Sequence, residues 1–482
     1  MLTLLLILFP FLTALLLMSF SDKMARPIAL GSAVIELILA CFTLFTLQNG
    51  QTGLLGLNYT WSSSLGISFS IAIDGISMLM ILIASLVMPL VIYFSFNKQY
   101  NNPRLLYALM MVMQSAMIGV FCAADGFLFY IFWEIALIPI YFICLMWGGE
   151  NRQRITFKFF IYTLLGSLFM LLALIYVYLQ SPERSFDIQV LYAAGRNMSV
   201  IEQGWVMGAF FLAFAVKMPV FPFHTWQPDT YYTAPTAGVI MLSGIMSKMA
   251  TYGLIRWVLP MVPQGVFEYG HIPIILSVIS IIYASCISII QKDFKYLIAY
   301  ASIAHLGLIS AGILSANTQS LQGALIEMLS HAVNTVGLFV VYDIIVKRTG
   351  TSEMSRLGGL RAIDSSFAFM FFIIVLSVVA LPFTSGFVGE FLLILGLFKN
   401  SPVLGSIAGL SIILGVVYMF RSFQTMMLGP TSPSMLGLPK LNIREKSTLF
   451  IVVILIIVFG VYPKPILAIT ENTIKTLLEG IQ

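Results

Sequence analysis

Six ionisable residues lie in apolar stretches of this sequence, where a charge is costly, and their types suit proton transfer. These residues are Glu134, Lys217, Lys248, His305, His331 and Glu390. A charged side chain at the centre of a membrane costs about 3 kcal/mol on insertion scales. Carboxyl, amine and imidazole groups accept and release protons, and histidine does so near neutral pH. We therefore interpret the six as candidates for an ion path through a membrane.

Lys217 stands in the segment GAFFLAFAVKMPVFPF, deep within an apolar run and two residues before a proline. Pro219 and Pro222 lack the backbone N–H that a helix needs, so they predict a broken helix here. Irregular backbone at membrane depth is tolerated only where protein or a cavity covers it. An ionisable group beside such a break is typical of an ion site. The alternative is a lysine that reaches from a helix end to the membrane surface.

Glu134 lies in LFYIFWEIALIPIYFICLMW, with no basic residue near it in the sequence. Lys217, from another span, is the natural partner. If the two groups lie close, each keeps the other charged, and separating them lets the lysine release its proton. The alternative is an unpaired, neutral glutamate in a helix contact.

Lys248 is accompanied by hydroxyl side chains on one face of its predicted helix. Ser243, Ser247 and Thr251 recur beside it at helical spacing. Hydroxyls and an amine on one stripe can hold a chain of water molecules between titratable groups. The same hydroxyls also serve in hydrogen bonds between helices, which is the alternative for them.

His305 and His331 are predicted on consecutive spans, and either could instead have a structural role. Glu327 and Asn334 lie four residues before and three after His331, so the three share a helix face. Neither histidine has a second histidine four residues away, so we expect no metal site.

Glu390 follows two glycines in TSGFVGEFLLIL, within a second apolar segment that is interrupted by proline and glycine. Its position predicts an acid at the entry to or exit from the path.

The composition indicates which kind of fold holds these residues. The chain is 59% hydrophobic and 9% charged, with a mean hydropathy of +0.98, which excludes a soluble globular domain. Runs of about 20 apolar residues predict an all-α polytopic membrane protein with about 14 transmembrane helices. Helices 7 and 12 are the broken ones, and the twelfth is centred near residue 382. The sequence has no phosphate-binding loop, no metalloprotease or nucleophile motif, and no basic stripe typical of nucleic-acid binding.

The distribution of basic residues predicts the orientation. Lys and Arg concentrate after odd-numbered spans, whereas residues 48–73, after the second span, contain none. The positive-inside rule therefore places both termini on the outer face.

Two segments suggest an internal repeat. KMPVFPFHTW (217–226) and ALPFTSGFVGEF (380–391) are both proline-broken and carry one ionisable group at membrane depth, as in transporters built from inverted repeats. We expect two inverted five-helix repeats. The predicted division is 1–100 (helices 1–3), 101–260 (helices 4–8, the first repeat), 261–430 (helices 9–13, the second repeat) and 431–482 (helix 14).

Several of these strings are similar to one family. FWEIALIPIYF, FAVKMPVFPFHTWQPDTYYTAPTAG, GIMSKMATYGLIR, KYLIAYASIAHLG and GFVGEF resemble subunit M of bacterial NADH–quinone oxidoreductase, respiratory complex I. That antiporter-like family is also related to Mrp-type antiporter subunits. The resemblance implies proton translocation in which Glu134 modulates Lys217. It also implies that Lys248, His305 and His331 continue a central hydrophilic axis that Glu390 terminates.

The resemblance also implies the setting of the chain. The partners would be other membrane-arm subunits, of the L and N types, in an inner or plasma membrane, with no nucleic acid. No cofactor is expected in this chain; flavin, iron–sulfur clusters and quinone would belong to partner subunits. Two positions depart from the family pattern: Tyr231 where a histidine is common, and Glu327 where a glutamine is common.

Two other functions stay open at this point. One is a subunit of an Mrp-type Na⁺/H⁺ antiporter or a membrane-bound hydrogenase, which would share the fold and the lysines. The other is a secondary transporter of a small organic solute, although the broken helices offer little polar surface for such a substrate.

Overall fold

A computed structural model describes residues 1–431 and 437–481, and the chain folds into a bundle of long apolar helices. The helices of the first half are α1 (Leu2–Ser19), α2 (Asp22–Gln48), α3 (Gly75–Ser95), α4 (Pro103–Cys122), α5 (Gly126–Ile135), α6 (Leu137–Trp147), α7 (Arg152–Gln180), α8 (Ile188–Arg196), α9 (Val200–Lys217), α10 (Gln227–Thr233), α11 (Thr236–Met241) and α12 (Ser247–Gly253). Those of the second half are α13 (Pro263–Tyr269), α14 (His271–Ile290), α15 (Phe294–Leu314), α16 (Thr318–Thr349), α17 (Leu360–Ile363), α18 (Ser365–Val378), α19 (Ser385–Asn400), α20 (Pro402–Met427), α21 (Ile443–Val461) and α22 (Lys464–Glu479).

Shorter elements complete the described chain. They are strands β1 (Leu57–Ser62) and β2 (Ile67–Ile71), 3₁₀ turns at Thr52–Leu54 and Met354–Arg356, and π-helical turns at Leu242–Met246 and Leu254–Val258.

The number of helices able to cross a membrane is close to the predicted number. Within the described residues, 12 are long and apolar enough, and the pair α21–α22, bent by 62°, makes a thirteenth. The difference lies at the predicted twelfth span, because residue 382 falls in the break between α18 and α19. A polytopic α-helical membrane protein is thus confirmed, with the twelfth span built from two short helices.

A β-hairpin occupies the connection after α2, for which hydropathy predicts no secondary structure. Strands β1 and β2 pair antiparallel. Asp125, the N-cap of α5, accepts a hydrogen bond from the Ser68 backbone N–H at 3.0 Å and so ties the hairpin to the helices. Polar and exposed residues of β1 explain why hydropathy alone did not reveal it.

At the break after α9, other donors form hydrogen bonds with the backbone carbonyls that the helix leaves free. Pro219 has no N–H to give to Ala215, and the Val220 N–H donates to that carbonyl instead, at 2.8 Å. The indole of Trp226 donates to the Val216 carbonyl, also at 2.8 Å. Since these carbonyls are satisfied, the chain can leave the helix inside the protein without unpaired backbone groups.

The helices that carry the central polar residues are the most deeply buried ones. The most apolar stretches of Thr236–Val258 and of α16 are buried throughout. Two π-helical turns flank α12, a distortion that is frequent at functional sites. Polar side chains on these helices therefore face protein.

Helices α16 and α19 approach closely because glycine occupies their contact positions. A Cβ at Gly389 would lie 2.5 Å from Glu327 Oε2, and one at Gly396 would lie 2.6 Å from the Ser320 backbone nitrogen. Small residues let helix backbones come together in membranes. This contact brings Glu390 of α19 alongside α16.

We predict that Gly396→Ala destabilises the protein by about 1–3 kcal/mol, because the added methyl meets backbone of α16 that cannot move aside. The measurement is the midpoint of thermal unfolding in detergent, together with the yield of folded protein from membranes. Gly409→Ala on α20 is the matched control, since its Cβ would lie 3.8 Å from Ile394 and the change should be neutral or slightly stabilising. Equal midpoints for the two variants would contradict the close contact.

Candidate functional site

Lys217 is the last residue of α9 and is only 4% exposed, so it does not reach the membrane surface. Its ammonium nitrogen lies 3.3 Å from the Trp133 carbonyl oxygen, to which it donates, and 3.8 Å from the centre of the Trp133 ring. A cation at a helix C-terminus is stabilised by the helix dipole, and one over an indole face by the ring's electrons. The carbonyl, the ring and the helix end thus hold the lysine in place.

Glu134 follows Trp133 and is half-buried, close enough to Lys217 for the two charges to interact. Among the described residues the two side chains form no ion pair within 4.0 Å, and Glu134 Oε1 has no hydrogen-bond partner. The predicted pair is therefore a neighbouring pair without direct contact. A small movement of α5 relative to α9 would change the separation of the charges and so the proton affinity of both groups.

Lys248 and His331 meet directly in the centre of the protein. Lys248 is fully buried, and its Nζ lies 2.6 Å from His331 Nδ1 and 2.7 Å from the Ser243 carbonyl oxygen. If Lys248 is an ammonium it can only donate, so His331 Nδ1 accepts and the imidazole proton sits on Nε2. That nitrogen faces Ser302 Oγ at 3.0 Å.

Hydroxyls around this contact form a connected group that includes Ser243 of the predicted stripe. Ser247 and Thr251, the other two hydroxyls of the stripe, donate to the backbone carbonyls of Ser243 and Lys248. Ser243 Oγ lies 3.1 Å from Ser302 Oγ and 3.4 Å from Thr335 Oγ1. Tyr231, the first departure from the family pattern, is buried beside Ser243 and Ser302. A phenol hydroxyl therefore stands next to this group of hydroxyls.

His305, Glu327 and Glu390 form a second cluster. His305 Nδ1 lies 3.1 Å from Glu390 Oε1 and 3.8 Å from Glu327 Oε1. Both carboxylates are almost completely buried, at 1% and 2% exposure. Helices α15, α16 and α19 each supply one of the three residues.

This cluster adjoins the contact between Lys248 and His331, because the two histidines are neighbours. The rings of His305 and His331 are 5.9 Å apart, centre to centre. A cavity of about 20 Å³, which both rings and Ser302 help to line, lies between the helices. Such a volume holds about one water molecule. Lys248, His331, His305 and Glu390 are thus arranged in one continuous row.

The row does not extend to Lys217 by direct contacts in the part of the chain that the structure describes. Aromatic side chains pack around Lys217 instead: the Trp133 ring lies 5.4 Å from Phe214, and Phe214 packs onto Gly253 of α12. Passage of a proton between the two lysines therefore requires water or movement of side chains.

Several ionisable groups outside the six candidates are also buried or partly buried. Glu327 was visible in the sequence only as an acid near His331, because its neighbours come from other helices. Asp74, the N-cap of α3, forms an ion pair with Arg256. Glu36 in α2 is buried, and both of its carboxylate oxygens lack a partner among the described residues; a lone acid in an apolar run was the signal that could have found it.

Comparison with known proteins identifies the family of the chain. Residues 123–417 match the family described as NADH:quinone oxidoreductase/Mrp antiporter, TM. The chain is 39% identical over 455 residues to NADH-quinone oxidoreductase subunit M of Rickettsia typhi, covering 94% of this chain and 91% of that one.

Two solved structures share the fold. A chain of respiratory complex I from Thermus thermophilus superposes with a TM-score of 0.91 at 28% identity, with both chains fully covered. A chain of the Mrp complex from Dietzia superposes with a TM-score of 0.87 at 18% identity, over 100% of this chain and 99% of that one, which shows the fold alone. The family match and the extended identity together show that the chain belongs to the NADH:quinone oxidoreductase/Mrp antiporter family, as a member of the subunit M type.

Proposed function

We propose that this chain is a proton-translocating membrane-arm subunit of NADH–quinone oxidoreductase. The observation that carries the proposal is the row Lys248, His331, His305 and Glu390, in which every link is a contact or a one-water gap between titratable groups. Such a row serves no evident packing purpose and is costly to bury. The redox reaction, with its flavin, iron–sulfur clusters and quinone, would take place on partner subunits.

The geometry supports a definite sequence of transfers. Lys248 gives a proton to His331 Nδ1, and the ring releases its other proton from Nε2 on the opposite side. A water molecule in the intervening cavity relays it to His305. His305 Nδ1 then passes a proton to Glu390, 3.1 Å away.

Lys217 acts as the proton store of the first half. Its ammonium is held by the Trp133 carbonyl and ring, and the nearby Glu134 favours the charged form. When the Glu134 carboxylate moves away, less negative charge stabilises the buried ammonium of Lys217. Release of the proton is then favoured. Electron transfer elsewhere in the complex would drive that movement.

The Mrp-type alternative is less well supported. The likeness to the Mrp chain lies below 25% identity and shows the fold, whereas the extended 39% identity is to a complex I subunit.

The predicted orientation, with both termini outside, forms part of the proposal. Three ion pairs support it, since each joins two helices near ends that adjoin connections following odd-numbered spans. These pairs are Arg104–Asp22, Lys158–Asp229 and Arg348–Glu445. The N-terminal amine instead donates to Leu54 in the connection after the second span. These contacts support a common face for the basic connections and the opposite face for the N-terminus.

We also propose the repeat division, with 101–260 and 261–430 as the two halves. It is supported by the breaks after α9 and after α18, each next to one of the candidate residues. Its last boundary, at 430, adjoins residues 432–436, which lie outside the described residues.

Replacing Lys217 by Ala should abolish coupled proton pumping while the complex still assembles, because the proton store is lost. Pumping is measured with a pH-sensitive dye in proteoliposomes, and assembly by native electrophoresis. Lys158→Ala, a half-exposed lysine paired with Asp229, is the control and should pump normally. Undiminished pumping by the Lys217 variant would refute its role.

His331→Gln should reduce pumping at least about ten-fold, the lower end of what a lost proton-transfer group costs. Glutamine preserves hydrogen bonding to Lys248 and Ser302 but cannot titrate. The control is His224→Gln: His224 is also buried, but it packs against Tyr283, 5.1 Å away between ring centres, and not against the row. Equal pumping rates in the two variants would contradict the relay.

The orientation is testable by cysteine labelling in right-side-out vesicles. Ser64→Cys, in the exposed hairpin turn, should react with a membrane-impermeant maleimide, and Glu150→Cys, in the exposed connection after α6, should not. The reverse labelling pattern would place both termini inside.

A further inference from the structure

The cluster of His305, Glu327 and Glu390 has the composition of a metal site. One imidazole nitrogen and one oxygen from each carboxylate all lie within 4.8 Å of one another. Zn²⁺ takes imidazole nitrogen and carboxylate oxygen at about 2.0–2.2 Å, and three such protein ligands with a water are common at zinc sites. A slight contraction of the cluster would bring all three atoms to that distance from one shared ion.

Polar atoms without hydrogen-bond partners belong to residues that line the same space. Glu327 Oε2, His305 Nε2 and Asn334 Oδ1 have no hydrogen-bond partner among the described residues. Asn334, only 6% exposed, lines the cavity together with His305 and Glu327. Buried polar atoms normally have partners, so a ligand with water in its coordination sphere would satisfy atoms that the protein leaves free.

The charges around the cluster favour a cation. Lys248, on the adjoining helix α12, and His331, on the same helix as Glu327, are engaged with each other. Two carboxylates therefore face one imidazole, and a divalent ion would balance their charge. Na⁺, Ca²⁺ and Mg²⁺ prefer oxygen ligands, whereas imidazole favours Zn²⁺ and its transition-metal neighbours.

We propose that His305, Glu327 and Glu390 bind Zn²⁺ and that the bound ion blocks the proton row at this point. The metal would take His305 Nδ1 and Glu390 Oε1, which are the two atoms that otherwise exchange a proton. The blocking effect rests on the proposed function, whereas the binding itself does not. The absence of a histidine pair four residues apart predicted no metal site, but that spacing rule applies to one helix and these ligands come from three.

Glu327 supplies the second carboxylate of the site. A glutamine at this position would supply one carboxylate fewer. Gly389 leaves room for the Glu327 carboxylate beside α19, since a Cβ there would lie 2.5 Å from it.

The binding test counts zinc on the whole purified complex. Wild-type complex, incubated with Zn²⁺ and separated from free metal, should retain one more zinc per complex than E327Q by mass spectrometry. E36Q is the matched control, because Glu36 is a buried glutamate of α2, outside the cluster, and it should match the wild type. An equal count in E327Q and the wild type would overturn the site.

Zinc X-ray absorption on the wild type provides a test that needs no variant to assemble. The zinc that the metal-depleted wild-type complex gains on incubation with Zn²⁺ should show nitrogen and oxygen ligands with imidazole scattering. Sulfur ligands, or no additional zinc, would overturn the assignment.

The blocking effect is measured in proteoliposomes, with each variant normalised to its own zinc-free pumping rate. The zinc concentration for half-inhibition should rise at least about ten-fold in E327Q and stay unchanged in E36Q. Zinc that binds without slowing pumping would overturn the blocking role alone. Failure of the zinc-free wild type to pump would instead refute the proposed function, and the zinc count would still test the site.

Discussion

The contact between Lys248 and His331 sets the geometry of the buried row. A fully buried lysine is tolerated only where acceptors surround it, and here the Ser243 carbonyl and His331 Nδ1 supply them. That requirement fixes the imidazole proton on the side of Ser302 and so aligns the histidine with the next group in the row. The burial that makes the lysine costly also makes its proton transferable, because water cannot compete for it.

Close helix packing extends this contact into a path. Glycines at the interface of α16 and α19 bring Glu390 beside Glu327 and His305. The distorted helix that carries Lys248 lies against α16 and presents the Ser243 hydroxyl towards Ser302 and Thr335. Bulkier residues at these contacts would separate the titratable groups by more than one water molecule can bridge.

Much of this arrangement could be predicted from the sequence. Rare charges in long apolar runs identified the six candidates, and proline positions located the first broken helix. Partners contributed by distant helices could not be predicted. The contact of His305 with Glu390 joins residues 85 positions apart (390 − 305), and the space that Glu327 shares with Asn334 exists only after packing. The hairpin was missed because its strands are short and polar, whereas the broken twelfth span was predicted from the proline and glycine residues that interrupt it.

The central claim is that protons cross this subunit through the buried row that begins at Lys248. The most direct measurement is the number of protons translocated per NADH oxidised in proteoliposomes containing the Lys248→Met complex, compared with the wild type. The account predicts a lower number in the variant, since methionine keeps the packing volume but carries no proton. An unchanged number of protons per NADH, with the variant fully assembled, would contradict it.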